Sequence, residues 1–226
     1  MPLWSMAVFG SRARGDDDPK SDIDILLITS GKKPRLVNKD RLSFSLYPSK
    51  WLLKKAQAGD LFVFHLVREA KVIYDSRGDF ARMCVAFQQK DSYELEIRQA
   101  STLGWFLYRY GAEFDSYNQI NRRMAWCVRT ILIARTAEAG EPVFSAAALS
   151  RFAKSRAVEQ LIKNKSDDDL NPENFALFLG FLEEWGSADM HTAAPEAYLE
   201  EFRRSKNTIG IKTYYEAWKN VDAEYV

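Results

Sequence analysis

The stretch Gly10-Ser11-Arg12-Ala13-Arg14-Gly15, followed by Asp16-Asp17-Asp18-Pro19-Lys20 and then Ser21-Asp22-Ile23-Asp24, decides the fold. An apolar run, Leu3 to Phe9, leads into it and has the length of a buried strand. Glycine at the end of a strand lets the main chain approach a ligand closely and take dihedrals closed to other residues. Ser11 adds a hydroxyl donor, and a helix starting here would aim its N–H groups at an anion. A second strand is predicted over Asp22 to Ile28. Its period of two sets Asp22 and Asp24 on one face, with Ile23 and Ile25 on the other. Two neighbouring carboxylates suit Mg²⁺, which keeps waters and takes substrate phosphates as further ligands. An anion-binding turn beside such a pair is equipped for nucleoside triphosphate chemistry.

Outward from this segment the chain changes character. Leu42 to Tyr47 alternates apolar residues with serine and reads as a strand with one buried face. Pro48 suits the first turn of a helix reaching Ala58, and Gly59 its end. Leu61, Phe62, His65 and Glu69 have helical spacing, and Val72 to Tyr74 is a short strand. From Asp91 on the pattern is helical. Asp91 and Glu94 have the spacing of a capping box, and Leu103, Phe106, Leu107 and Tyr110 share a face. Ile120, Met124, Cys127, Ile131 and Ala134 repeat at helical spacing towards Gly140. Asn171-Pro172-Glu173 opens a further helix, Pro195 another that reaches Arg204, and Tyr214 to Asp222 a last one. Strands first and helices afterwards predict an α+β head over residues 1–80 and an α-helical domain over residues 81–226.

Composition excludes several classes. The 226 residues carry 32 Lys and Arg against 31 Asp and Glu, a net charge of +1, so neither a basic nucleic-acid coat nor an acidic tail is present. Aromatic residues at 13% argue against disorder. Cys84 and Cys127, with only His65 and His191, make neither a disulfide framework nor a zinc site. No run is long and apolar enough to cross a membrane, and Met1 to Phe9 is too short for a signal peptide. A cytoplasmic protein is expected, with oligomeric state left open.

Gly10 to Leu27 closely resembles the signature of the DNA polymerase β-like nucleotidyltransferase superfamily, in its small bacterial branch: Gly-Ser-x-Ala-Arg-Gly, a short polar loop, then Ser-Asp-x-Asp and apolar residues. The likeness extends more loosely to Asp75. It implies a nucleotidyltransferase head with a mixed sheet and flanking helices, followed here by an α-helical bundle. It implies Mg²⁺-dependent transfer of a nucleoside monophosphate from an NTP, ATP first, to an acceptor hydroxyl, with pyrophosphate released. Gly10 and Ser11 would hold the β- and γ-phosphates, with Arg14 and Lys20 as further substrate contacts. Asp22 and Asp24 would be catalytic and would bind two Mg²⁺ ions, or Mn²⁺ in their place. Acceptors in the superfamily include proteins, RNA and small molecules, and nothing in the helical half selects among them.

Two departures qualify that reading. The superfamily usually places a third carboxylate on a neighbouring strand, but the corresponding strand here carries Ser43 and Ser45. Asp40, Asp60, Glu69 and Asp75 are the nearby acids. Three readings follow: catalysis with two carboxylates and a water, a carboxylate from elsewhere, or nucleotide binding without turnover. The last would make the protein a degenerate nucleotide- or partner-binding regulator of the toxin–antitoxin or antiphage type. Members also commonly place a helix before the first strand, whereas nine residues precede Gly10, so either that helix is absent or the start lies upstream. His65 reads as a core group, Asp16 to Asp18 as solvated turn residues, and Lys32, Lys33, Arg35, Lys39 and Arg41 as a basic loop.

Overall fold

The structure is a computed structural model that describes residues 2–17, 22–169, 171–190 and 194–217. Lys20 and His191 lie outside the described residues, as does the segment after Ala217. The chain divides into two compact units, Met1–Asp91 and Ser92–Val226.

The first unit is built on a five-stranded mixed sheet, ordered β3-β4-β2-β1-β5. β1 (Leu3–Phe9) runs antiparallel to both β2 (Ile23–Thr29) and β5 (Lys71–Asp75). β4 (Leu42–Pro48) lies parallel to β2, and β3 (Arg35–Lys39) closes the far edge antiparallel to β4. Residues on one face of the sheet follow period two. On β1 that face carries Ser5, Ala7 and Phe9; on β2 it carries Asp24, Leu26 and Ile28. Helices α2 (Ser49–Gln57), α3 (Leu61–Glu69) and α4 (Asp79–Ala86) contribute Leu52, Ala56, Val63, Leu66, Phe80 and Met83 to the same core. Phe80 and Met83 attach α4 to this unit, which therefore runs past residue 80.

Local chemistry explains the helix starts. Pro48 is the N-cap of α2, and the Asp60 carboxylate accepts from Phe62 N and Val63 N at the start of α3. Between Arg35 and Lys39, where the sequence reads as a basic loop, the structure has an edge strand exposed along its length. Alternation is weak there because both faces are solvated, so no apolar period marks it. The hairpin turn falls on Asp40 and Arg41, with Asp40 in the left-handed region at φ 51°.

The second unit is helical: α5 (Glu94–Tyr110), α6 (Tyr117–Glu138), α7 (Ala146–Phe152), α8 (Arg156–Lys163), α9 (Pro172–Trp185), α10 (Pro195–Arg204) and α11 (Thr208–Ala217). Phe106 is fully buried, with the rings of Tyr110, Phe114, Tyr198, Phe202 and Tyr214 around it. The Asp91–Glu94 capping box does not form. Ser92 Oγ accepts from Glu94 N instead, and Glu138 accepts from Tyr93 N. Asn171 caps α9 by accepting from Glu173 N, with Pro172 in the first turn.

Candidate functional site

β1 ends at Phe9, and the chain turns at Gly10 into a single helical turn, α1 (Ser11–Arg14). Gly10 has φ 74°, a region that side chains with a Cβ avoid. A Cβ built there would stand 2.7 Å from Asp24 Oδ2, so the aspartate occupies the space that glycine leaves open. The sequence suggests glycine for close approach of a ligand; the structure adds that Asp24 Oδ2 stands where a Cβ would need room. α1 begins at Ser11, where the first amides of a helical turn have no partner within it. Gly15 closes the turn in the left-handed conformation, donating to the Ser11 carbonyl at 2.8 Å.

β2 begins at Ile23, so Asp22 stands just before the strand and is exposed, while Asp24 is half-buried on the core face beside Phe9. Register then places Ser43 of β4 next to Asp24, and Asn38 of β3 next to Ser43. One row across the sheet reads Phe9, Asp24, Ser43, Asn38. The strand position beside Asp24 is thus serine, as the sequence indicates.

Of the other candidate acids, Asp40 is exposed in the hairpin turn, whereas Asp60 and Asp75 are occupied. Asp60 caps α3 and accepts from Lys55 Nζ at 2.9 Å. Asp75 accepts from Ser5 Oγ at 2.5 Å and from Phe80 N and Ala81 N at the start of α4; burial pushes its carboxyl up, but these hydrogen bonds hold it below the usual range. Among the described residues no group of three or more His, Cys, Asp or Glu could hold a metal.

Glu69 is the third member of an unexpected cluster. Arg14 Nη1 donates to Glu69 Oε2 at 2.6 Å, and His65 Nε2 to the same oxygen at 2.8 Å. Arg14 Nε also reaches Asp16 Oδ1 at 3.0 Å, and Arg12 pairs with Asp17. Burial pushes the Glu69 carboxyl up, but the bonds from His65 and Arg14 outweigh it and leave it below the usual glutamate range. Desolvation pulls the Arg14 guanidinium down, yet Asp16 and Glu69 more than offset it. The His65 ring meets Phe9 edge-on, with centroids 5.8 Å apart. Arg14, predicted as a substrate contact, is therefore tied to α3, and His65 is bound into a polar cluster at the edge of the core. Asp16 and Asp17 have arginine partners rather than being merely solvated. The i, i+4 spacing of His65 and Glu69 was the available signal for the pair.

The donor set fits a divalent cation. Asp22 and Asp24 supply hard oxygens two residues apart, and Asp24 Oδ2 lies against the Gly10 turn. Phosphate oxygens held by that turn would complete the coordination.

Residues 4–95 match the family profile described as "Nucleotidyltransferase domain". Among curated proteins none matches the chain. A nucleotidyltransferase-like protein from Exiguobacterium sibiricum is a structural match at 16% identity, covering 97% of this chain and 75% of that one, with a TM-score of 0.31.

Proposed function

We propose that the head of this chain, whose residues 4–95 match the nucleotidyltransferase domain profile, belongs to the DNA polymerase β-like superfamily, and that the protein moves a nucleoside monophosphate from an NTP to an acceptor oxygen, releasing pyrophosphate. The observation that carries the proposal is the contact geometry at Gly10, where Asp24 Oδ2 fills the space of the missing side chain. It supports a reading in which the phosphate turn and the dicarboxylate share one site.

In this reading the Gly10–Ser11 turn holds the β- and γ-phosphates and leaves the α-phosphorus beside Asp22 and Asp24. Asp22 and Asp24 hold Mg²⁺, or Mn²⁺ in its place. Bound there, the divalent ions supply charge neutralisation on the triphosphate and on the departing pyrophosphate. Arg14, fixed by Glu69 and Asp16, sets the shape of the turn and is kept as a substrate contact in this reading. Lys20 belongs to the same proposal as a triphosphate contact. ATP is the first donor to test, on family grounds. Among the described residues no helix is long and apolar enough to cross a membrane, and the free thiols Cys84 and Cys127 support a reducing, cytoplasmic setting.

Ser43 beside Asp24 favours a second reading, nucleotide binding without turnover. One experiment separates the two. NTPs labelled at the α-phosphate are incubated with the protein, Mg²⁺ or Mn²⁺, and a cell extract. Label moves to an acceptor, and the Asp22→Ala, Asp24→Ala double variant abolishes the transfer while keeping its fold by circular dichroism. Unchanged transfer by that variant would overturn the site assignment. Nucleotide binding with no transfer to any component selects the second reading.

A further inference from the structure

We propose that the open face of the head's sheet is an interface between two copies of this chain, whether or not the head transfers nucleotides. Period two divides each strand between the face that carries the core and the opposite face. From β3 to β5, one row of the opposite face reads Val37, Phe44, Ile25, Val8, Lys71. The next row reads Arg35, Leu46, Leu27, Met6, Tyr74. On the three inner strands every one of these side chains is apolar and none is buried. Among the described residues, none of them packs against the core that α2, α3 and α4 cover. A sheet face left to solvent alternates to polar residues. β2 instead reads Ile25-Leu26-Leu27-Ile28 beyond Asp24, apolar on both faces, as in a strand covered on both sides. A contiguous apolar surface with a polar rim marks a docking surface.

Symmetry and charge select the occupant. The sheet order β3-β4-β2-β1-β5 has β2 at its centre. A twofold axis along β2 lays one open face on another, exchanges β4 with β1 and β3 with β5, and makes each contact twice, as a closed pair requires. Leu27 and Ile25 then meet their own counterparts, Leu46 meets Met6, and Phe44 meets Val8. At the rim Arg35 comes over the exposed Tyr74 ring, and the Lys71 stem covers Val37. The second row is thus its own complement, with an apolar centre, a guanidinium at one end and an aromatic ring at the other. Apolar centre and charged rim are also the anatomy of protein interfaces.

Size sets the strength. Five strands ~4.8 Å apart, over ~20 Å of their length, offer roughly 500 Å² per copy, at the lower limit of specific interfaces once both copies are counted. An interface of that size supports a reversible dimer with Kd on the order of 10 µM.

The test is sedimentation velocity of the full chain from about 1 to about 300 µM, on both sides of that Kd. The expected result is a monomer that becomes a dimer as concentration rises. Leu27→Glu sets two carboxylates on the axis and gives a monomer throughout, with the circular dichroism of the parent. A charge on a central strand can also disturb the sheet, so two rim variants carry the decision. Arg35 and Tyr74 are exposed on opposite edges of the sheet, four strand spacings or ~19 Å apart, and cannot touch within one copy. Arg35→Ala and Tyr74→Ala each raise Kd about fivefold, and the double variant raises it about fivefold as well, because the facing pair is lost only once. Independent effects, about 25-fold in the double variant, overturn the arrangement. A monomer at every concentration overturns the interface, as does a dimer that Leu27→Glu and the rim variants leave unchanged. A monomer that pellets with phosphatidylglycerol vesicles, and no longer does so as Leu27→Glu, assigns the face to a lipid surface and overturns it too.

Discussion

Replacing Glu69 with glutamine tests whether α3 holds the phosphate turn from behind. One carboxylate oxygen accepts from Arg14 at 2.6 Å and from His65 at 2.8 Å, and the Glu69 side chain is only 15% exposed. Hydrogen bonds to a charged group contribute about 1.5–3 kcal/mol each. Glutamine keeps the volume and one acceptor oxygen, so the net loss is set at about 2 kcal/mol. In a chain of this length that lowers the melting temperature by roughly 4–8 °C, read by scanning calorimetry. The loss is shared with Arg14, so a cycle of Glu69→Gln, Arg14→Gln and the double variant returns a coupling of about 1–3 kcal/mol. The loosened turn also weakens ATP binding about tenfold by titration calorimetry, equivalent to ~1.4 kcal/mol. A melting temperature unchanged within error, with coupling below about 0.5 kcal/mol, would refute the reasoning.

Gly10→Ala forces a side chain into a left-handed backbone and against Asp24 Oδ2, so it costs about 1–3 kcal/mol in urea unfolding and removes ATP binding. Acid titration carries its own sign. Glu69 has a depressed pKa in the fold, so its contribution is present above the ordinary value of 4.5 and disappears as pH falls through the folded value; urea midpoints of the parent fall over that range, and those of Glu69→Gln fall less. Asp60→Ala removes the acceptor for two amides of α3 and costs about 1 kcal/mol by the same measurement. Cys127 is fully buried and its thiol is pushed far up by burial, so native protein exposes at most Cys84 to a thiol reagent, and both react once urea unfolds the chain.

The sequence made the site's strands legible because each has one buried face. Ala7 and Phe9 alternate with half-buried residues on β1, and Leu26 and Ile28 do so on β2. β3 escaped notice for the opposite reason: Arg35 to Lys39 is solvated on both faces and carries no apolar period. The candidate dicarboxylate and turn could be proposed from the combined motif, and the serine at position 43 from the strand that follows. Their contact could not, since the approach of Asp24 Oδ2 to Gly10 depends on the register of β1 against β2. The tie between Arg14 and Glu69 spans 55 residues, and local pattern gives no sign of a pair that far apart. Asp91 and Glu94 show the reverse error, a correct local spacing overridden when Glu138 reached Tyr93 N.

The close fit of Gly10 around Asp24 also shapes how this gene can drift. A change at Gly10 that spared the aspartate would meet its carboxylate at once, whereas a change of Asp24 to a smaller residue would open room beside the glycine. The two positions are therefore unequal partners. Room beside the glycine would still not free it, since φ 74° disfavours any side chain there, so the turn holds Gly10 in place independently of the aspartate.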